Sequence, residues 1–474
     1  MLSQKLIKLK DAEKLHVDEV KKLYSDYVNP YQTKIFSNFS FGSELFDKAS
    51  GMYLLNDKKK ILDFTGGFGV LNHGHNHERI LNVRKKFIEE NKLEVHKIIF
   101  SKYLATLSHN LSILLDEKLN RTFLCNSGAE AVEGAMKLAF RANKNKKYIL
   151  SSDKSYHGKL IGSGSISGSY KSKNNFQKME NFDFFNFNDP VSLEKKIIEY
   201  ENKGGVYAVI IEPFSATLLE SCSTEFITKL KNLKKKYNFS IICDEVYCAW
   251  YKCGKLFYFQ KFDNFTPDIL TLSKSMGGGK SSISAYIANE KLHDKVYGSI
   301  DNAFLHTTTY NGFGEECATA IEAINILIEE DFQKKVNSIE SQIKENLKKI
   351  QEKFPKKIKS FKGQGALFGI EFYSPLEFVS KVLDNVNVQS VQNKKKIVSK
   401  LYIASISDQL FKNYNIMTNI SESDNSDFLY ISPSLIAESK HINYFFDSLS
   451  KLLSRKMDFT LSRYLFKSVL NLIK

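Results

Sequence analysis

Lys274 stands in the run TLSKSMGGGKSS (271–282), where a short apolar stretch, Asp268-Ile269-Leu270-Thr271-Leu272, meets a glycine turn. A lysine at the C-terminal end of a parallel strand lies where open α/β sheets place their ligands. Once buried, such an ammonium either pairs with an acid or loses its proton and becomes a nucleophile toward carbonyl carbon. The same run ends in Gly279-Lys280-Ser281, as a nucleoside-triphosphate loop does. That loop needs a glycine separated from the Gly-Lys-Ser by four residues, so that its backbone can wrap the phosphates. The residue there is Lys274, and the phosphate-loop reading fails. Two further apolar runs end in acids, Ile242-Cys243-Asp244-Glu245-Val246 and Val209-Ile210-Ile211-Glu212-Pro213. Carboxylates buried at such ends are costly unless they meet a cation or a donor. Asp244 fits a helix N-cap, and it equally fits an acid that faces a cationic ring nitrogen or a metal. Cys125-Asn126-Ser127-Gly128-Ala129-Glu130 follows a strand and opens a helix. Its small residues leave backbone N–H groups for an anion, although tight strand-to-helix turns use the same residues.

The elements that must position these groups alternate. Strands are expected at 122–127, 147–152, 206–214, 239–246 and 268–273, with helices such as 130–142 and 224–237 between them. This βαβ pattern predicts a mainly parallel sheet covered by helices on both faces. Ahead of it, GMYLLNDKKKILDF (51–64) reads as a hairpin turning at Asn56-Asp57. One long helical run starts at Ala318 and leads into a C-terminal α+β region, and 384–400 reads as an exposed insertion or helix. The expected organisation is an N-terminal segment (1–60) joining a small domain, a large domain (61–320), and the rest of the small domain (321–474).

The chain has 474 residues and a formal net charge of +15, yet only six of its 68 basic residues are arginine. Nucleic-acid sites favour arginine for its bidentate and stacking contacts, so no nucleic-acid partner is expected. Six cysteines without a CxxC pair point to reduced thiols and a cytoplasmic, reducing setting. No apolar run reaches the roughly 18 residues of a membrane span, and the charged N-terminus does not read as a secretory signal.

A reactive lysine, an acid for a pyridine nitrogen and a helix N-terminus for a phosphate are what pyridoxal phosphate requires. The blocks LDFTGGFGVLNHGHNHERI, CNSGAEAVEGAMKLAFRA, SYHGK, IIEP, ICDEV, LSKSMGGG and HTTTYNGFG run in order from about Asp63 to Ala318. In these blocks the chain resembles the class III aminotransferases of fold type I, closest to the diamine, ornithine and acetylornithine transaminase branches. The resemblance implies an α/β large domain with a mainly parallel sheet and a smaller α+β domain built from both chain ends. It also implies a homodimer working by ping-pong chemistry. Lys274 would be the Schiff-base lysine and proton shuttle, and Asp244 the partner of the pyridinium nitrogen. Ser127, Gly128 and Ala129 would hold the phosphate. Tyr156, beside His157, and Val246 would cover the ring faces, with Glu212 near the ring. Thr309 would reach the neighbouring subunit's phosphate. Lys280 falls outside the site. His73, His75 and His77 could share one strand face, but their block matches a family turn without a metal role, and no metal is expected.

The chain departs from the family where it would meet cofactor and substrate. Tyr247 stands where glutamine is usual, and Lys159 and Tyr430 stand where carboxylate-gripping arginines often lie. Lysine lacks the guanidinium fork, so a primary, terminal (ω) amine is the expected donor, with a keto acid or aldehyde as acceptor. An aminomutase or decarboxylase on the same scaffold, a non-catalytic cofactor-binding relative, and a substrate carried on an acidic protein are the alternatives.

Overall fold

The computed structural model describes residues 6–94, 98–170, 177–373, 391–420 and 427–455. Three short strands come first: β1 (Lys48–Ser50), β2 (Tyr53–Leu55) and β3 (Lys60–Asp63). They form an antiparallel meander, with Asn56 Oδ1 accepting the N–H of Lys58 and Lys59 at the expected turn.

Seven strands build the central sheet: β4 (Arg121–Cys125), β5 (Tyr148–Ser152), β6 (Phe182–Phe185) and β7 (Val206–Ile211), then, after the hairpin β8 (Phe214–Ser215) and β9 (Glu220–Ser221), β10 (Ser240–Asp244), β11 (Ile269–Leu272) and β12 (Ser284–Ala288). The spatial order is β4-β12-β11-β10-β7-β5-β6. β12 is antiparallel to both its neighbours, and every other pair is parallel. Every residue of β7 and β10 is buried, as expected of strands covered on both faces. Each large apolar side chain so buried contributes roughly 2 kcal/mol.

The helix Gly128–Ala142 buries Ala131, Val132, Ala135, Met136, Leu138 and Ala139 and packs on this sheet. Its Gly134 admits Tyr286, whose ring atoms would lie 2.5 Å from an added Cβ. Helix Thr224–Tyr237 is capped by Ser223 and ends at Asn238 in the left-handed conformation.

Strands β13 (Ile358–Gln364), β14 (Leu367–Phe372), β16 (Asn419–Ile420) and β17 (Leu429–Ile431) form a separate antiparallel sheet, while β15 (Ile416–Met417) runs parallel to β3.

The observed fold differs from the sequence expectation in three places. β6 and β12 were not anticipated as strands. The long helical run is two helices, Gly314–Glu329 and Phe332–Lys353, because Asp331 adopts φ 48° and caps the second by accepting the N–H of Lys334. Part of 384–400 lies outside the described residues, and the chain is helical over Val391–Tyr414. All six cysteines are buried and unpaired. Among the described residues no helix is long and apolar enough to cross a membrane.

Candidate active site

Neighbouring parallel strands end on one edge of a sheet. The register sets Cys243 beside Ile211 and Asp244 beside Thr271, so Glu212, Asp244 and the residues after β11 arrive together. They open on a cavity of about 570 Å³. Among the residues expected from sequence, Gly128, Ala129, Tyr156, His157, Lys159, Glu212, Asp244, Val246, Tyr247, Lys274 and Tyr430 line it. Ser127 does not. It stands just behind as the N-cap of helix Gly128–Ala142, its Oγ accepting the N–H of Glu130 at 3.3 Å. Thr309 is exposed and is not part of the lining.

Asp244 is buried at the inner end. Its Oδ2 lies 2.8 Å from His157 Nδ1, and its Oδ1 accepts the N–H of Val246 at 3.0 Å and the hydroxyl of Thr271 at 3.2 Å. It therefore orders a turn and an imidazole; no helix follows for it to cap. Glu245 accepts the backbone N–H groups of Tyr258 and Phe259 instead, and burial pushes its carboxyl up to about 8. Of the adjacent acids, only Asp244 faces the cavity. Glu212 Oε2 accepts the N–H of Tyr156 at 2.9 Å, and burial pushes its carboxyl up to about 7.

Lys274 opens the turn between β11 and β12 at φ 51°, a left-handed conformation that is uncommon outside glycine and marks a constrained position. Burial lowers its ammonium to about 8, against the opposing pull of Asp244 and Glu212. Its Nζ lies 3.6 Å from the centroid of the Tyr247 ring. Among the described residues no carboxylate comes within 4.0 Å of Nζ. A buried amine over an aromatic face, without a paired acid, is poised to react rather than to form a salt bridge.

Among the walls that the sequence did not signal are Phe68, Leu160, Phe214, Thr217, Leu367, Asn419 and Ile420. Phe68 is at φ 57° within a left-handed run, Gly66–Gly69. A lone aromatic among three glycines was the available signal for it. Asn419 and Ile420 come from a distant sheet and carry no local signal. Lys159 is exposed at the rim, and the Tyr430 hydroxyl lies 3.3 Å from the carbonyl oxygens of both Ala216 and Thr217. Lys280 is exposed and away from the cavity. His75 bonds Asp63, His73 bonds the carbonyl of Ala323, and His77 lies near Glu330, so the three histidines serve different partners.

The lining fits pyridoxal phosphate. Gly128 and Ala129 bring a helix N-terminus to the cavity, where backbone N–H groups can take an anion, and a Cβ added at Gly128 would sit 2.8 Å from Val246 Cγ1, so only glycine fits there. His157 Nε2 is buried with no hydrogen-bond partner among the described residues.

Comparison with known proteins gives the family and the fold. A curated Schizosaccharomyces pombe protein described as an uncharacterized aminotransferase is 27% identical over 441 residues, covering 90% of this chain and 85% of that protein. Among solved structures, ornithine aminotransferase from Toxoplasma gondii ME49 superposes with a TM-score of 0.76 at 20% identity, covering 94% of this chain and 97% of that one. A transaminase from the marine bacterium Virgibacillus gives 0.75 at 18% identity, covering 89% and 93%. The fold is thus that of the fold-type I aminotransferases. The family model described as "Aminotransferase class-III" matches residues 42–453. With that match spanning most of its length, the chain belongs to the class III aminotransferase family and is a transaminase, a membership that implies pyridoxal phosphate-dependent transfer of an amino group.

Proposed function

We propose that this site moves an amino group from a primary, terminal amine to a keto acid or aldehyde, with Lys274 as the residue that reacts. One observation carries the reading: a buried lysine, without a salt bridge among the described residues, shares one cavity with a helix N-terminus and two strand-end acids. When bound, pyridoxal phosphate supplies an aldehyde that condenses with amines and a ring that draws electrons from the neighbouring carbon.

The chain's own groups do the rest. Lys274, partly neutral near pH 8, offers the lone pair of Nζ and then takes and returns a proton at that atom. Asp244, held by His157, Thr271 and Val246, turns its carboxyl group to the inner end, where it would partner a protonated ring nitrogen. The N–H groups of Gly128 and Ala129, on the helix that Ser127 caps, hold the phosphate. Tyr156 and Val246 cover the ring faces. Glu212, near half-protonated at neutral pH, stands on the substrate side.

In this reading the active unit is a cytoplasmic homodimer. Thr309 is exposed and outside its own cavity, which leaves it available to a neighbour's. The partners are small amines and carbonyl compounds, and the positive net charge makes an amine on an acidic carrier a further substrate to assay. The test is the visible spectrum of the holoenzyme, expected to bleach with amine and to recover with a keto acid. Lys274→Ala is expected to lower transamination at least about a hundredfold; near-parent turnover would remove Lys274 from its role.

A further inference from the structure

The two ends of the cavity differ in kind. Charge collects at the inner end, on Lys274, Asp244 and Glu212. The walls beyond are mainly apolar, with Phe68, Phe214, Leu367, Ile420 and the ring of Tyr430, and the polar side chains among them include the uncharged Thr217 and Asn419. Tyr430 lies on β17, and its hydroxyl reaches the carbonyls of Ala216 and Thr217 beside the β8–β9 hairpin. It therefore presents ring carbon to the cavity and no cation. Phe68 is 54% exposed, yet it holds a left-handed backbone that a bulky residue disfavours. Its neighbour Gly69 is pressed against the Tyr247 ring, where an added Cβ would lie 3.2 Å from ring atoms, so the loop is fixed close to that wall. Strain held at a site in this way is a pointer to function.

Magnitudes then choose the substrate. Among the described residues of the lining, Lys159 is the only lysine or arginine besides Lys274, and it is exposed. A carboxylate paired with an exposed lysine gains at most about fivefold in affinity. Each methylene buried against apolar walls is worth about fourfold, and a charged tail laid along them loses its hydration without replacement.

We infer that the amino donor is a primary amine with an uncharged, apolar body, and that Tyr430 and Phe68 set this preference. The inference rests on Lys274 being the reacting lysine. It is tested by mixing the holoenzyme with butylamine, hexylamine and octylamine, and with hexamethylenediamine and ε-aminocaproate as chain-matched charged analogues. The bleaching rate and its half-saturating concentration are read for each. The apparent second-order constant is expected to rise about fourfold per methylene along the alkylamines, and hexylamine is expected to exceed both charged analogues at least about tenfold. A flat response to length, or a charged analogue that matches hexylamine, overturns the inference. Tyr430→Arg should shift the ratio toward ε-aminocaproate, whereas Tyr430→Phe should keep the parent preference. A parent-like ratio in a folded Tyr430→Arg protein removes Tyr430 as a determinant. If that variant does not fold, the amine series on the parent enzyme still decides the substrate class. A spectrum that no amine changes defeats the Lys274 reading itself, an outcome distinct from bleaching in the wrong order.

Discussion

At the scale of single residues, the reactivity of Lys274 is set by what surrounds it. Burial lowers its ammonium to about 8. Only the neutral amine attacks a carbonyl, and below that value its fraction falls tenfold per pH unit. The rate at which the apo chain captures pyridoxal phosphate should therefore rise tenfold per unit up to about pH 8 and level off above it. An unshifted lysine would keep climbing toward about 10.4. Stopped-flow absorbance across a pH series checks this. Lys274 and Asp244 could be read from the sequence because a charge closing an apolar run demands a reason, and because the ordered family blocks supplied one. Phe68, Phe214 and Ile420 could not, because a wall is made by residues that meet only in three dimensions and whose types are ordinary apolar ones. Tyr430 was singled out by what it replaces; where its hydroxyl goes was knowable only from the β8–β9 hairpin standing opposite.

At the scale of elements, the N-terminus of helix Gly128–Ala142 is the part with least room for change. A Cβ at residue 128 would press on both Val246 methyls, at 2.8 and 3.0 Å, and on Ser273 Cβ at 3.4 Å. Overpacking of this kind costs about 1–3 kcal/mol. Gly128→Ala is thus expected to weaken pyridoxal phosphate binding at least about tenfold, as measured by fluorescence titration of the apo protein. The parallel strands were legible because near-continuous apolar runs alternate with helical periodicity. β12 was hidden for a physical reason: SAYIA follows β11 through the glycine turn and runs antiparallel to both neighbours, outside the strand–helix alternation that marked the parallel strands. The break at Asp331 was hidden because charge and apolar spacing continue across it, while the residue's own backbone turns left-handed.

At the scale of the whole molecule, exposed apolar side chains stand near the Thr309 segment, with Phe100 and Phe304 lining one cavity with Thr307 and Asn311. Phe304 is 80% exposed, and Phe100 and Ile300 are at least as open. A patch of this kind on a folded chain marks an interaction site. Sedimentation equilibrium should give about twice the 54.3 kDa chain mass. Phe304→Glu should shift the protein toward monomer and lower turnover with it, since a charge buried at an apolar contact costs several kcal/mol. A monomeric parent protein of full activity would refute the dimer and the cross-subunit role of Thr309.

The strand order carries one further consequence, in the order of events during synthesis. β4, which leads into the turn at Ser127 and Gly128, pairs in the described structure only with β12, and every other strand of the large sheet lies between them in sequence. The turn and Lys274 therefore cannot be locked together until β12 has been made and inserted between β4 and β11. Such non-local closure is slow. A growing chain that stops short of Ala288 would keep β4 as an unpaired edge, and the Gly128 turn and Lys274 would be joined last.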